Sequence, residues 1–460
     1  MRATTRVGAS ICLSVFSLVS IILLLPSSKV STQLQKIALG ATLDDFPTLW
    51  NWGKDEESES ESEGVRLVVF GDSWVDDSMD VEKGKGRSWA EVLCEEVSRS
   101  MHFSIGVLTK RQINCTSRLN FAASQALESY PSSAPTGAII SNAIYVSSIA
   151  TSSSPPPETL ATELLPDLAA QIQEFIALPP PAHTPKETLF LISFGFWDIY
   201  SFAGLDYSLS MNVTDRTVND LFDQLDVLYA HYSQNLSAAH TTAESTDSTN
   251  KTQTENPAHH SPFRVVIPKL FDPTLLPGWL SQRPAPLKPS SIAENQKNAV
   301  YLASRWNTLI ENKIGSWLKE PALPPADVIN TTTEALASLP VVEKDVFYYD
   351  LAQYLLDIIV EHQLEDEGLS DASGLGNGDS PFESVYQPCM RDADEGAEDG
   401  YVDLNGQLVC KEPEEYLFWD GFNLGSVAKE GIGKEVGKMV RLGKSMRAIW
   451  EQKEGHSGGL

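Results

Sequence analysis

The sequence predicts an α/β fold, in which a central parallel sheet is covered by helices on both faces. Short apolar runs typical of buried strands alternate along the chain with longer segments whose apolar residues recur at helical spacing. Parallel strands need a crossover connection, which is usually a helix, so this alternation indicates βαβ units. Of the 460 residues, 42% are hydrophobic and 21% are charged, which excludes a disordered chain and allows a large core.

The strands are predicted from short runs rich in β-branched, aliphatic and aromatic residues. The first run is apolar apart from Arg66, and the later runs are similar in composition. A shorter strand with a turn is expected between the first two of these runs. The predicted strands lie at residues 65–70, 120–127, 188–194, 263–267 and 345–350.

The helices are predicted from apolar residues three and four positions apart. Their predicted ranges are residues 89–97, 163–178, 218–232, 299–319, 351–361 and 426–452. Loops rich in Ser and Pro, or in Gly and acidic residues, are expected at residues 147–157, 364–380 and 391–400. Ligands of parallel sheets bind at the carboxyl ends of the strands, so functional residues are expected just after each strand.

Residues 1–30 are predicted to be a signal peptide or an uncleaved type II membrane anchor. Arg2 and Arg6 precede an uncharged, largely apolar stretch, which is typical of both. Either one would place the rest of the chain in the secretory pathway, secreted or anchored with the folded part in the lumen or outside. Residues 31–64 are expected to form a flexible stem, because their acidic run, residues 54–63, has nothing apolar to bury.

The charge balance narrows the classes of partner. With 34 Lys and Arg against 62 Asp and Glu, the chain carries a formal net charge of −28 at pH 7. Nucleic-acid binding needs a basic face and binding to anionic lipid needs basic clusters, so neither is expected of the folded part. Membrane contact is therefore expected only through the N-terminal apolar segment.

Five Asn-x-Ser/Thr sequons agree with export. They lie at Asn114, Asn212, Asn235, Asn250 and Asn330. Two of them fall in residues 233–262, a stretch rich in Ser, Thr, Asn and His that predicts a glycosylated surface insertion. Residues 451–460 are expected to be a polar tail.

Four cysteines lie outside the apolar start and form two local pairs, each separated by 21 residues. In an oxidising compartment, Cys94–Cys115 and Cys389–Cys410 are the economical pairing among three possible connectivities. Four free thiols are the alternative. The second disulfide would tether the acidic loop ahead of the Trp419-Asp420 turn.

A serine motif follows the first predicted strand. Residues 70–74 read Phe-Gly-Asp-Ser-Trp, so Ser73 carries a hydroxyl at the carboxyl end of that strand. This block resembles the first block of the GDSL, or SGNH, hydrolase family. Residues 195–198, Gly-Phe-Trp-Asp, resemble that family's Gly-x-Asn-Asp block. Residues 382–420 are similar to its C-terminal pattern, with a Pro-Cys, a later Cys and then Tyr-Leu-Phe-Trp-Asp in order.

The resemblance covers residues 65–450 and implies a flavodoxin-like three-layer sandwich with a central parallel sheet, the SGNH hydrolase fold. It also implies an ester hydrolase that acts on acyl or acetyl esters of small molecules, lipids or glycans. Ser73 would be the nucleophile with its backbone N–H as one oxyanion donor, and Asp420 would orient the base. The other matching motif residues are Gly71, Asp72, Gly195 and Asp198. No metal or organic cofactor is implied, and a monomer is expected.

The sequence departs from the family at three positions that the chemistry uses. Asn423 stands where the family has the base His, Trp197 stands where it has Asn, and Ser124-Gln125 stand where it has Gly. A backbone N–H at Ser124 or Gln125, or the indole N–H of Trp197, can still donate to an oxyanion. Asn423 cannot take a proton near neutral pH, and losing a triad member costs about 10³–10⁶ in rate. A substitute His, a non-catalytic protein that binds a glycan or lipid, and an acyltransferase are the alternatives.

Several of these residues also have structural interpretations. Asp72, Asp198 and Asp420 could each cap a turn or a helix without taking part in chemistry. The basic residues of the last helical segment, with Lys429 among them, are expected to form a solvated face. The spacing of Cys and His fits no metal site.

Overall fold

The computed structural model describes most of the chain from residue 64 onward. The described residues are 64–77, 85–98, 102–104, 107–109, 115–124, 137–152, 164–179, 181, 185–244, 261–283, 286, 290–320, 342–367, 380–392, 400–402 and 407–457. The predicted signal peptide or anchor and the stem before residue 64 lie outside them, as do the sequons at Asn114, Asn250 and Asn330.

Five parallel strands form a central sheet. The first seven strands in the described part of the chain are β1 (Val65–Gly71), β2 (His102–Ser104), β3 (Val107–Thr109), β4 (Cys115–Asn120), β5 (Glu187–Ser193), β6 (Phe263–Pro268) and β7 (Lys344–Tyr349). The sheet has the order β4-β1-β5-β6-β7, and every neighbouring pair is parallel. The remaining two, β2 and β3, pair with each other as a short antiparallel ribbon.

The helices lie between the strands, as βαβ units require. They are α1 (Trp89–Ser98), α2 (Asn142–Ser152), α3 (Leu168–Ile176), α4 (Phe196–Phe202), α5 (Tyr207–Glu244), α6 (Gly278–Ser281), α7 (Ile292–Trp317), α8 (Leu351–Asp366), α9 (Ser426–Arg441) and α10 (Met446–Ser457). Contacts divide several of these helices into two groups. In one group α1 packs against α9, and in the other α2, α3 and α7 pack against α5. This arrangement is consistent with a three-layer sandwich, and it confirms the predicted α/β class with a central parallel sheet.

The core lies on the strands that the apolar runs predicted. Phe70, Phe190, Phe263 and Phe347 come from four different strands of the sheet and are fully buried. Burying one such side chain stabilises the fold by about 1.5–3 kcal/mol. The carboxyl ends of β1 and β5, where the motif residues follow, are therefore anchored in the best-packed part of the molecule.

The helix α5 is much longer than the predicted helix at residues 218–232. Its first half is rich in hydroxyl side chains that bond back to the backbone, as when Thr214 Oγ1 donates to the Ser210 carbonyl at 2.8 Å. Such local bonds allow a small hydroxyl side chain to be buried within a helix. The first part of the expected insertion, residues 233–244, is helical because α5 continues to residue 244, and residues 245–260 lie outside the described ones. Asn212 and Asn235 are exposed on this helix.

Two other predicted boundaries were wrong near the serine motif. The strand expected at residues 120–127 ends at Asn120, because that side chain donates to the Val75 carbonyl at 2.7 Å and accepts from the backbone N–H of Ala122 at 3.0 Å. These two bonds turn the chain at the end of β4. The loop expected at residues 147–157 begins as the second half of α2, which ends at Ser152.

The last helical segment is divided into two helices. Gly443, with a φ of 62°, follows the end of α9, and α10 begins three residues later. A left-handed residue of this kind ends a helix at little cost only when it is glycine. The expected polar tail, residues 451–460, is helical as far as Ser457.

Five short strands and one disulfide shape the region ahead of the Asp420 turn. The strands are β8 (Ser384–Pro388), β9 (Met390–Asp392), β10 (Tyr401–Val402), β11 (Gln407–Val409) and β12 (Tyr416–Phe418). The predicted disulfide Cys389–Cys410 is confirmed, with the two Cα atoms 4.9 Å apart. The N–H of Met390 donates to the Trp419 carbonyl at 2.7 Å, so the bridge holds the segment that borders Asp420. Cys94 is also in a disulfide, and the side chain of its predicted partner, Cys115, lies outside the described ones.

Within the described ranges, no helix is both long enough and apolar enough to span a bilayer. The same ranges contain no group of three or more His, Cys, Asp and Glu side chains arranged to hold a metal ion.

Candidate functional site

Ser73 lies at the carboxyl end of β1, an inner strand of the sheet. The strand end is fixed by Gln171, whose side chain accepts from the Gly71 N–H at 2.9 Å and donates to the Gly71 carbonyl at 3.0 Å. A Cβ at Gly71 would lie 2.3 Å from a methyl group of Val75 and 2.9 Å from the Ser193 carbonyl oxygen, so only glycine fits this turn. Ser73 is 5% exposed, and its hydroxyl is held at the edge of the sheet.

Trp197 reaches Ser73 from the neighbouring strand. Gly195, with a φ of 109°, makes the turn after β5 that starts α4. The Trp197 indole is fully buried, and its Nε1–H donates to Ser73 Oγ at 3.2 Å. A Cβ at Gly137 would lie 2.2 Å from that Nε1, so only glycine fits at this position against the indole ring. The structure thus brings together the predicted nucleophile and the predicted replacement donor.

The carboxyl groups of Asp72 and Asp198 lie behind this pair and have structural partners. Asp72 Oδ1 accepts from the Trp74 N–H at 3.0 Å, and Asp198 accepts from the Ile140 N–H at 3.2 and 3.3 Å. Burial, with a smaller contribution from the nearby charge of Asp198, raises the pKa of Asp72 to about 8. Burial also raises the pKa of Asp198 to about 7. These bonds favour the capping interpretation of both residues over a direct part in chemistry.

Asp420 and Asn423 form a closed turn after β12. Asp420 Oδ1 accepts from the N–H groups of Phe422 and Asn423 at 2.8 and 2.7 Å. The Asn423 amide donates to both oxygens of Asp420, at 3.0 and 2.9 Å. Asn423 is 4% exposed and its Oδ1 has no hydrogen-bond partner. The carboxylate therefore holds an amide in the way that it would hold an imidazole, but the amide has no proton-accepting nitrogen.

The turn and the serine motif meet through aromatic side chains. The Phe422 and Trp197 rings are 5.2 Å apart between centroids, and Trp197 in turn touches Ser73. Of the remaining oxyanion candidates, Ser124 donates its hydroxyl to Asp76, and Gln125 lies outside the described residues.

Two buried lysines share a small cavity with Ser73. The cavity has a volume of about 20 Å³, and Lys85 and Lys429, each 5% exposed, line it. Lys429 Nζ donates to the Lys85 carbonyl at 2.9 Å, and Lys85 Nζ has no hydrogen-bond partner. Burial and, to a smaller extent, the charge of Lys85 lower the pKa of Lys429 to about 7, against the opposing charge of Asp420. Burial also lowers the pKa of Lys85, against the opposing charges of Asp420 and Asp76.

The prediction that Lys429 belongs to a solvated face was wrong, and the reason lies in the packing of α9 on α1. A Cβ at Gly433 would lie 2.5 Å from Val92, and one at Gly437 would lie 2.4 Å from Glu96, so the helices touch along this glycine stripe. Lys429 precedes Gly433 by four residues and therefore lies on the same face. The signal in the sequence was this Lys-x₃-Gly-x₃-Gly spacing, which puts the lysine in line with a close helix contact.

Histidine does not replace the missing base within the described side chains. The imidazole of His362 pairs with the Glu383 carbonyl at 3.0 Å, and that of His231 with the Asn235 amide at 2.9 Å. Neither is bonded to Ser73. The side chains of the other candidates, His102, His183, His240, His259, His260 and His456, lie outside the described ones.

No protein-family model matches the chain, and no curated protein matches it. The argument for function therefore rests on the residues and the geometry of this site.

Proposed function

We propose that the chain is an SGNH-type serine ester hydrolase with Ser73 as its nucleophile, acting on esters of short acyl groups. One observation carries the proposal: three separate segments, residues 71–74, 195–198 and 420–423, meet at the carboxyl edge of the parallel sheet. Each of them was singled out by the resemblance to one family. Ligands of parallel α/β sheets bind at that edge.

The size of the cavity favours an acetyl group over a long acyl chain. A cavity needs about 10–15 Å³ to hold one water molecule, and drug-sized ligands fill about 300–1,000 Å³. The cavity of about 20 Å³ beside Ser73 thus has room for a group of the size of a water or a methyl, which fits the methyl of an acetyl ester and excludes a long acyl chain. Acetyl esters of an alcohol or a sugar hydroxyl are the substrates that this space favours.

The test is ester hydrolysis by the full chain made in a eukaryotic secretory host. Acetyl, butyryl and octanoyl esters of p-nitrophenol would be compared, and we expect the acetyl ester to be cleaved at least tenfold faster than the octanoyl ester. Ser73→Ala should abolish hydrolysis and labelling by a fluorophosphonate probe. Ser148→Ala is the matched control, because Ser148 is also buried but bonds only to the Tyr145 carbonyl of its own helix.

A non-catalytic binding protein is the second candidate. The buried Nζ of Lys85 and the buried Oδ1 of Asn423 both have no hydrogen-bond partner, and such groups are normally satisfied by a ligand or a water. Binding of an acetylated sugar by a wild-type protein with neither hydrolysis nor Ser73 labelling would favour this candidate over the hydrolase.

Export through the secretory pathway remains part of the proposal. The exposed Asn212 and Asn235 of α5 are the sequons that a glycan could occupy in the described part of the chain. We expect glycosidase treatment to lower the apparent mass of the expressed protein. A product of unchanged mass would contradict glycosylation and leave the hydrolase proposal to the esterase assay.

A further inference from the structure

Resting on the proposed hydrolase, we infer that the amine of Lys429 is the general base that takes the proton from Ser73. In this assignment the chain uses a serine–lysine pair where the resemblance implies a serine–histidine pair. Asn423 then has only a structural role, because its amide donates to both oxygens of Asp420 and completes that turn. Lys85 acts as a positioning residue for Lys429.

The first support is the shared cavity. Ser73 and Lys429 line the same space of about 20 Å³, which holds one water and little else. The amine is fixed by its bond to the Lys85 carbonyl at 2.9 Å, which uses one N–H and leaves the lone pair of the neutral amine to accept a proton. Proton transfer can pass directly or through one water, because catalytic hydrogen bonds in an empty site are often longer than in the substrate complex.

The second support is that close packing on two sides holds the lysine in place. The Lys85-Gly86 turn lies against the start of α9, where a Cβ at Gly86 would be 2.4 Å from Ser426. On the other side, Gly433 lets α9 contact α1 closely. Burying Lys429 beside this helix contact costs free energy, and that free-energy cost is lowest when the amine is neutral.

The charges around the amine act on it in both directions. The other charged groups that line the cavity are Asp76, Asp77, Lys85, Arg87 and Glu91. Most of them have partners: Asp77 pairs with Arg118 at 3.1 Å, Arg87 with Glu91 at 3.9 Å, and Asp76 accepts from the Ser124 hydroxyl. Lys85 on one side and Asp420 on the other then act most directly on Lys429, in opposite directions.

Burial and the charge of Lys85 determine how much of the Lys429 amine is neutral. They lower the pKa of Lys429 to about 7, so about half of the molecules carry a neutral amine at pH 7. A lysine with the ordinary pKa near 10.4 would be neutral in about one molecule in 2,500 at that pH. Desolvation and a neighbouring cation are two general ways to turn a lysine into a base.

The proposed steps balance in protons and bonds. The Lys429 amine takes the Ser73 proton while Ser73 Oγ bonds to the acyl carbon and the carbonyl oxygen becomes an oxyanion. The ester C–O bond then breaks, and the leaving alkoxide takes the proton from the Lys429 ammonium. Water repeats the cycle on the acyl-enzyme: Lys429 takes its proton, the hydroxide adds to the acyl carbon, and Ser73 leaves and is reprotonated by Lys429.

The test measures the pH dependence of acetyl-ester hydrolysis and of fluorophosphonate labelling in full-length variants. We expect the wild-type rate to rise with pH through a midpoint near 7. Lys429→Met and Lys429→Arg should each lower it by about 10²–10⁴, the usual worth of a positioned base. Arginine keeps the charge but cannot lose its proton, so its failure would show that charge alone is insufficient. Thermal unfolding checks that both variants fold.

Two further variants separate the roles. Lys85→Met removes the neighbouring cation, so the midpoint should move to higher pH while activity at high pH is retained. Lys434→Met is the matched control, because Lys434 is exposed on the same helix and pairs only with Glu430, and it should leave rate and midpoint unchanged. Full Ser73-dependent activity in Lys429→Met would overturn this inference and leave the hydrolase intact. A wild type without Ser73 labelling or hydrolysis at pH 9 would overturn both.

Discussion

Asp72 should make the protein less stable as the pH rises, and Asp72→Asn should remove that effect. The carboxyl group is 2% exposed and its pKa is raised to about 8, mainly by burial and secondarily by the charge of Asp198. In the unfolded chain its pKa returns to about 3.9. Between these two values the folded protein holds a proton that the unfolded chain has released. The free energy of unfolding therefore falls with rising pH in this window, and the stability is fully present only below about pH 4.

The magnitude follows from the linkage relation. Each pH unit inside the window changes the free energy of unfolding by about 1.4 kcal/mol per group, so Asp72 alone contributes about 4 kcal/mol between pH 5 and pH 8 at most. Asp198 has the same sign up to about pH 7. Lys429 has the opposite sign, since its lowered pKa makes stability rise with pH above about 7. Comparing one variant with the wild type at each pH cancels these other groups.

The assay is urea unfolding followed by tryptophan fluorescence at pH 5, 6, 7 and 8. Asn can still accept from the Trp74 N–H, so the stability of Asp72→Asn relative to the wild type should increase steadily from pH 5 to pH 8, by up to about 4 kcal/mol. Asp206→Asn is the control: Asp206 is exposed, and its bonds to Ser208 lower its pKa, so its effect should be the same at pH 5 and pH 8. A stability difference for Asp72→Asn that does not change between pH 5 and pH 8 would refute the reasoning.

Three other perturbations test the scaffold and the site. Replacing both Cys389 and Cys410 by Ser should lower the free energy of unfolding by about 3 kcal/mol, measured by urea denaturation, because the bridge closes a loop of 21 residues. Gly433→Ala should lower it by about 1–3 kcal/mol by forcing α9 away from α1, and unchanged stability would show that the contact is loose. Asn423→His should raise the esterase rate at least tenfold in a Lys429→Met background and less than threefold in the wild type, because only the former lacks a base.

The fold class was predictable because each main strand of the central sheet is one short, continuous apolar run in the sequence. Residues 65–70, 188–194, 263–267 and 345–350 were all found as strands within a residue or two of the observed ends. Helix lengths were less predictable. The α5 helix buries hydroxyl groups such as those of Thr214 and Thr217 through bonds to its own backbone, a compensation that composition alone does not show.

Some residues of the site could be predicted from the sequence and others could not. Residues in short motifs after strands or turns belong to the first kind, and a buried residue on a helix belongs to the second. Ser73, Trp197 and Asn423 follow strands or turns with recognisable neighbours, so their positions could be inferred from short motifs. Lys429 could not be inferred in that way, because a lysine on an amphipathic helix is solvated in most proteins. Whether it is buried depends on the partner helix, which lies more than 300 residues earlier in the chain.

The burial of Lys429 also explains how a chain without the expected histidine could keep a reactive serine. The histidine position and the lysine both approach Ser73 from the C-terminal segment, one from the turn before α9 and the other from its first turn. The Asn at residue 423, where the resemblance implies a His, supplies no base but completes the turn, since both oxygens of Asp420 accept from its amide. If the neutral amine of Lys429 takes the proton, the serine needs no imidazole, and the pH at which activity appears is set by the burial of Lys429 and by the opposing charges of Lys85 and Asp420. The shift of the midpoint in Lys85→Met is therefore the measurement that links the packing of the two lysines to the chemistry of Ser73.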